Sequence, residues 1–472
     1  MPRTLLARFS DMNIPYYLFR ALFALSVIWA WGLPLRPPPA RNALAAEGQG
    51  LTSQELNKSE TGRINILGSD SPRLTRLVHD LHSGDRQALG AFWRELEGKA
   101  PLVETSTADE RRRLVTFLWR GDDKTMRVTL MGGLPGANAV KPLKRLRDTD
   151  LWYLTESHST EARFAYVFQV NGPEALPMEF RSLMKEIQRN SPRPDPLSAR
   201  EYAGWSYVEL PDAPPQQWLR KRADVPAGRQ TKEKFKSRIL NAEYPLSIYT
   251  PPGYKSDGDR CWLMIAFDGG FAMMDATLDN LVAAGKIPQL VEVGVENIDG
   301  PSRQRDLNCS DRFARFLADE LVPWARKTYR VYDDPAHTIV GGTSDGGKMA
   351  AYCGLTYSGV FGNVLSQSGS FLTAAGQESP AVVWDGEAPG MLVRKFIQSP
   401  THPLKFYIEV GRYETTFPFS PLLETRRLRD VLQAKGYGVA YSEFVGGHNE
   451  VCWRGSFANA IMALTAERRR EE

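Results

Sequence analysis

From residue 236 onward the chain alternates two hydrophobic patterns. Short continuous apolar runs at Leu246–Tyr249, Trp262–Phe267, Leu290–Val295, Thr338–Gly341, Asn363–Ser366, Phe406–Val410 and Val439–Phe444 are separated by amphipathic stretches at Asp311–Tyr329, Gly346–Tyr357, Leu422–Lys435 and Ser456–Glu467. Runs without polar alternation suit strands buried on both faces, and the amphipathic stretches supply the covering layers. Residues 236–472 are therefore expected to form an α/β domain around a mostly parallel sheet. Residues 70–195 are patterned differently. A helical spacing of Leu74, Leu77, Val78, Leu81, Leu89, Phe92 and Leu96 gives way to β-rich runs at Leu114–Trp119, Met126–Met131, Leu151–Leu154 and Phe164–Val170, divided by glycine and charged turns. That change predicts a small β-sandwich. Residues 196–235, rich in proline and charge, read as a linker wrapping between the domains.

The N-terminus is set apart by composition. Arg3, Arg8 and Arg20 precede an apolar run at Ala21–Leu33, and a proline-rich stretch leads to Ala43-Leu44-Ala45. A run of about 13 residues is short of the roughly 20 that a spanning helix needs, and the small residues at 43 and 45 fit cleavage before Ala46. Residues 1–45 are thus expected to be a signal peptide, with Met12 as an alternative start and no membrane span after cleavage. Polar Gln49–Asp70 reads as a lead-in. A formal net charge of +4, from 59 basic and 55 acidic residues, gives no reason to expect nucleic acid as a partner. Cys261, Cys309, Cys353 and Cys452 show no C-x-x-C pattern, so neither a structural metal nor a cofactor is expected.

The candidate chemistry lies at Thr338–Ala351. A β-branched run enters Gly342-Thr343-Ser344-Asp345-Gly346, and small residues follow where a helix must pack closely. This is the strand, turn and helix pattern that builds an exposed serine nucleophile on strained backbone, and it identifies Ser344. A serine hydroxyl needs an imidazole to take its proton. His79 and His82 fall on the N-terminal helix, His158 in the β-rich region, and His337 and His402 at strand entrances; His448 follows the last strand run, after Gly446-Gly447. The order serine, acid, histidine is that of an α/β-hydrolase. Among the carboxylates between them, Asp385, Glu387, Glu409, Glu414, Glu424 and Glu443, Glu414 is favoured because it follows a strand and Gly411. The Asp345 amide and that of Gly269 or Gly270, at the end of Trp262–Phe267, are the expected oxyanion donors.

The motifs TPPGY (Thr250–Tyr254), FDGG (Phe267–Gly270), GGTSDGG (Gly341–Gly347), LSQSGS (Leu365–Ser370), EVGRYE (Glu409–Glu414) and GGHNEVCWR (Gly446–Arg454) resemble the enterochelin esterase family. VTFLWRGD (Val115–Asp122), LRDTDLWYL (Leu146–Leu154) and RPDPL (Arg193–Leu197) extend the likeness to that family's N-terminal sandwich and linker. The resemblance implies a serine esterase that opens the trilactone of a catecholate siderophore and releases its iron, with Ser344, His448 and Glu414 as triad. It leaves two other readings: an esterase for another acyl or lactone compound, and a non-catalytic siderophore-binding protein. Two positions depart from the family pattern. Asp345 follows the nucleophile, putting a charge beside the oxyanion hole, and Asn449 follows the histidine. The leader resembles that of periplasmic members. Because a ferric catecholate is strongly anionic, Arg303, Arg305, Arg412 and Arg454, placed in loops at the carboxyl edge of the sheet, are expected to bind it, with Trp453 stacking on a catechol ring. An oxidising periplasm would also permit Cys309 and Cys452 to pair.

Overall fold

A computed structural model of the chain describes residues 71–132, 140–172, 192–270, 274–371, 389–415 and 420–466. The expected signal peptide, the lead-in Gln49–Asp70, and the carboxylates Asp385 and Glu387 lie outside the described residues.

The first domain opens with helices α1 (Pro72–His82) and α2 (Ala88–Leu96). Strands β1 (Leu102–Thr105), β2 (Arg112–Arg120), β3 (Val128–Gly132), β4 (Val140–Pro142), β5 (Lys144–Arg145), β6 (Leu151–Ser159), β7 (Arg163–Val170), β8 (Glu201–Tyr202) and β9 (Trp205–Glu209) follow. They form two antiparallel sheets, ordered β1-β2-β6-β5 and β4-β3-β7-β9-β8. The pleat of β2 explains the layering. Val115 and Phe117 point into the inter-sheet core with Phe164, Tyr166 and Phe168 of β7, whereas Leu118 points the other way, under Leu77, Phe92 and Trp93 of the two helices. The single helix suggested by the spacing over 72–96 is in fact two, because Ser83 caps α1 and Gly84 takes a positive φ.

The second domain contains β10 (Arg229–Ser237), β11 (Ala242–Thr250), β12 (Trp262–Ala266), α3 (Asp275–Ala283), β13 (Leu290–Val295), α4 (Gly300–Leu307) and α5 (Asp311–Phe316). A π-helical turn, Leu317–Leu321, joins α5 to α6 (Val322–Thr328). The chain continues through β14 (Thr338–Thr343), α7 (Asp345–Thr356), β15 (Asn363–Gln367), α8 (Met391–Gln398), β16 (Lys405–Gly411), α9 (Pro421–Ala434), β17 (Gly438–Phe444) and α10 (Glu450–Thr465). The sheet runs β10-β11-β13-β12-β14-β15-β16-β17, antiparallel at its first two pairings and parallel beyond. Leu263 and Ile265 of β12 face the layer holding α5 to α9, while Met264 and Ala266 face α3 and α10. Burial on both faces accounts for the unbroken apolar runs. The architecture is an α/β-hydrolase domain preceded by a β-sandwich.

The linker boundaries need correcting. Strands β8 and β9 complete the sandwich and β10 begins the second sheet, so only residues 210–228 separate strands of the two domains. Strand β10 reads Arg-Gln-Thr-Lys-Glu-Lys-Phe-Lys-Ser. Such a strand is tolerated because it forms the sheet edge, where charge discourages pairing with another chain.

Candidate active site

Strand β14 passes into α7 through Ser344, whose backbone lies at φ 57° and ψ −124°. A residue with a side chain in this region is strained by about 1 kcal/mol or more, and persists only where its surroundings enforce it. Here Ser344 N donates to Gln367 O at 2.9 Å, while its carbonyl accepts from Lys348 N at 3.1 Å and Ser370 N at 3.2 Å. Gly342 cannot carry a side chain, since a Cβ would lie 2.6 Å from the Gly346 carbonyl carbon. The serine Oγ lies 3.5 Å from Ser370 Oγ, and among the described residues no hydrogen bond joins it to His448.

Register brings the neighbouring strands to the same edge. Thr343 pairs with Gln367 and Gln367 with Glu409, so the loops after β14, β15 and β16 emerge side by side. Glu414 Oε2 accepts from His448 Nδ1 at 2.7 Å. Its other oxygen accepts from Gly411 N at 2.8 Å and Ser368 Oγ at 2.6 Å. Trp453 Nε1 donates to that same Ser368 hydroxyl at 2.9 Å, and its ring stands edge-on to the imidazole, 4.8 Å between centroids. With the Nδ1 proton held by Glu414, Nε2 is the nitrogen left to accept a proton from a hydroxyl. The ordered chain Trp453 to Ser368 to Glu414 to His448 was not apparent from sequence. Its only signal was a serine directly after an apolar strand.

The other carboxylates are committed elsewhere. Glu409, buried in β16, accepts from Gln367 Nε2 at 2.8 Å, Ser456 Oγ at 2.5 Å and Tyr407 OH at 2.9 Å. Burial pushes its pKa up to about 7 against those hydrogen bonds. Glu424, on α9, accepts from Gly390 N and Arg427, and Glu443 pairs with Arg412 and Arg426.

The charge beside the nucleophile is balanced. Burial raises the Asp345 carboxyl, but Lys348 and then Arg303 outweigh it, leaving its pKa below the usual range. Lys348 Nζ lies 3.1 Å from Asp345 Oδ1, and Arg303 Nη1 3.4 Å from Oδ2. The Arg303 guanidinium also grips Asp268 with two bonds, at 2.5 and 2.9 Å. Arg303 is therefore a buried tie between the turn after β12 and the head of α7, not a substrate arginine at the mouth. Two expected oxyanion donors also need correcting. Gly269 N donates to Val295 O at 2.9 Å and Gly270 N to Phe267 O at 3.0 Å, because positive φ at both glycines folds their amides back onto the sheet. The Asp345 amide, at the start of α7, has no acceptor within the helix, as for any helix-terminal donor.

The remaining binding candidates are spread over helices and a loop. Arg305 belongs to α4 and pairs with Asp306, while Arg412 is an exposed loop residue beside Glu443. Trp453 is buried, and Arg454 bonds Gln216 and lies over the Tyr202 ring, 4.3 Å from its centroid. Both lie in the first turns of α10, which Asn449 caps by accepting from Cys452 N. Asparagine is among the residues that serve best at such a cap. All four cysteines are free and buried. Cys309 lies in the core beside α5, and Cys452 Sγ donates to Arg163 O at 3.0 Å, so the two thiols that an oxidising compartment would permit to pair stay unpaired.

Family comparison agrees with this architecture. The enterochelin esterase N-terminal model matches residues 114–219 and the esterase model residues 237–464. The iron(III) enterobactin esterase of Dickeya dadantii is 31% identical over 82% of this chain and 95% of its own length. The chain belongs to the enterochelin esterase family. This membership makes it a carboxylic ester hydrolase. The family's iron(III) enterobactin esterase from Yersinia enterocolitica is 28% identical over 62% of this chain and 91% of its own. In fold, the chain is similar to the ferric enterobactin esterase of Salmonella typhimurium, with a TM-score of 0.65, 24% identity, and coverage of 79% of this chain and 98% of the other. The Shigella flexneri enterobactin esterase, solved in the presence of enterobactin, gives 0.62 and 23% over 79% and 97%.

Proposed function

We propose that the chain is a serine esterase that hydrolyses the trilactone ester bonds of a catecholate siderophore such as ferric enterobactin, freeing the iron. The Glu414–His448 contact of 2.7 Å, on loops that lie across β15 from the strained Ser344 turn, carries this reading. In this mechanism Ser344 Oγ attacks the ester carbonyl while His448 Nε2 takes the hydroxyl proton, and Glu414 stabilises the resulting imidazolium. The C–O bond to the departing seryl alkoxide breaks as His448 returns the proton to it. Water, deprotonated by the same imidazole, then cleaves the acyl-enzyme and restores Ser344. The Asp345 amide donates to the oxyanion, and the balanced carboxylate beside it leaves that donor usable. Of the four candidate arginines, Arg305 and Arg412 have the exposed heads that could meet an anionic substrate.

Ser344→Ala tests the assignment. Turnover of ferric enterobactin should fall by about a thousandfold or more while siderophore binding is kept. A variant that hydrolyses at the wild-type rate would sink it. The engagement of Arg303 by two carboxylates favours a second reading, an esterase for a less charged acyl or lactone compound. A higher kcat/KM on an uncharged ester than on ferric or apo enterobactin would select that alternative. We also propose export to the periplasm, a reading supported by the composition of residues 1–45.

A further inference from the structure

The two loops that bring acid and base together are joined to the sandwich as well as to each other. Arg412 N donates to Phe444 O at 2.8 Å and Tyr413 N to Gly446 O at 2.9 Å, so the Glu414 loop and the His448 loop pair like short strands. The sandwich supplies the next partner. Arg163 N, at the first residue of β7, donates to Val445 O at 3.0 Å, and the Arg163 carbonyl accepts from Cys452 Sγ at 3.0 Å. That carbonyl approaches Gly446 so closely that a Cβ there would collide with it.

Side chains deepen the joint. Tyr413, next to Glu414, and Val445, three residues before His448, are both half-buried and pack against the core between the sandwich sheets. The Tyr413 ring lies 6.0 Å from Phe164 and 5.9 Å from His158, with its hydroxyl 3.4 Å from His158 Nδ1. Burial first, then Lys141 and Arg112, pushes the His158 pKa down to about 3, so it meets the phenol as a neutral ring. A second tether runs through the linker. Arg163 Nη2 donates to Pro214 O at 2.8 Å, and Gln216 Nε2 donates to Val451 O at 2.7 Å at the start of α10.

We propose that the sandwich positions the acid–base pair of the active site, with Tyr413 as the positioning residue that anchors the Glu414 loop against the sandwich core. The proposal rests on the serine esterase reading. Its physical basis is that Glu414 and Tyr413 are adjacent, so a side chain held against one domain fixes the carboxylate that orients the imidazole in the other. A misplacement of about 1 Å can cost about a hundredfold in rate.

The test compares Tyr413→Phe, Tyr413→Leu and Tyr413→Ala with wild type and Ser344→Ala in the full chain, on ferric enterobactin and on para-nitrophenyl acetate, a small ester with no catechol to bind. The leucine and alanine variants should lose about tenfold to a hundredfold in kcat on both esters with KM within about twofold, while phenylalanine, which keeps the ring, stays within about threefold. A cooperatively melting leucine variant with wild-type kcat would overturn the proposal, as would a rise in KM alone or a phenylalanine variant as slow as alanine. The leucine variant keeps apolar volume at the anchor, so it reads the effect if alanine fails to fold. Wild-type activity in Ser344→Ala would instead remove the esterase reading, which separates the two failures.

Discussion

Asp345 shows how a residue's neighbours decide its chemistry. A carboxylate next to the nucleophile would oppose a developing oxyanion if its charge stood alone. Lys348 and Arg303 hold it in a network of alternating sign, together with Asp268. Removing one member of such a network leaves a poorly solvated charge behind. Arg303→Met should therefore destabilise the protein by about 3 kcal/mol in urea denaturation, because the side chain is 10% exposed and its partners under a fifth. It should also lower kcat more than it raises KM, since the tie joins the turn after β12 to the Asp345 amide. A normal melt with only KM raised would return Arg303 to the substrate-binding role read from sequence. The identities of Ser344, Glu414 and His448 as candidates came from motif and chain order. The destination of the Arg303 guanidinium did not, because the two carboxylates it joins are 35 and 42 positions away.

Elements meet in the buried network of Glu409, which links β15 through Gln367, β16 through Tyr407 and α10 through Ser456. Its pKa, raised from 4.5 to about 7 by burial, has a definite consequence for stability. Between those values the folded state retains a proton that the unfolded chain releases. Stability should therefore decrease as pH rises from 4.5 to about 7, by up to ~3 kcal/mol from this group. Glu409→Gln keeps the shape, and its amide can donate to the Tyr407 hydroxyl. Melts of this variant and wild type at pH 5 and 8 should show the variant's relative stability growing with pH, and parallel curves would refute the shift. Some elements were less legible than the strands. Helix α4 was read as loop although Asp299 and Ser302 form a capping box with proline in the first turn. Its apolar content is too low for periodicity to detect, and the cap was the signal available.

The whole molecule adds what neither a residue nor an element contains. The proposed export belongs to this scale, and it predicts a mature N-terminus at Ala46, readable by sequencing protein recovered from the periplasmic fraction; a retained Met1 or Met12 would contradict cleavage. The sandwich and the hydrolase domain were both legible as separate units, since each has its own hydrophobic period. Their joint was not. Neither Tyr413 nor Arg163 was singled out by any pattern in the sequence, yet the ring contacts of Tyr413 with Phe164 and His158 and the Arg163 backbone bond to Val445 connect the sandwich core to the Glu414–His448 pair. Periodicity and strand-end motifs determined the two-domain class, the nucleophile turn and the Ser, Glu and His candidates, because those depend on local backbone geometry and chain order. Only the tertiary structure decided which charges neutralise Asp345, which amides stay open, which thiols remain apart and what holds the base. Those outcomes depend on distances between residues far apart along the chain, and no local pattern encodes them.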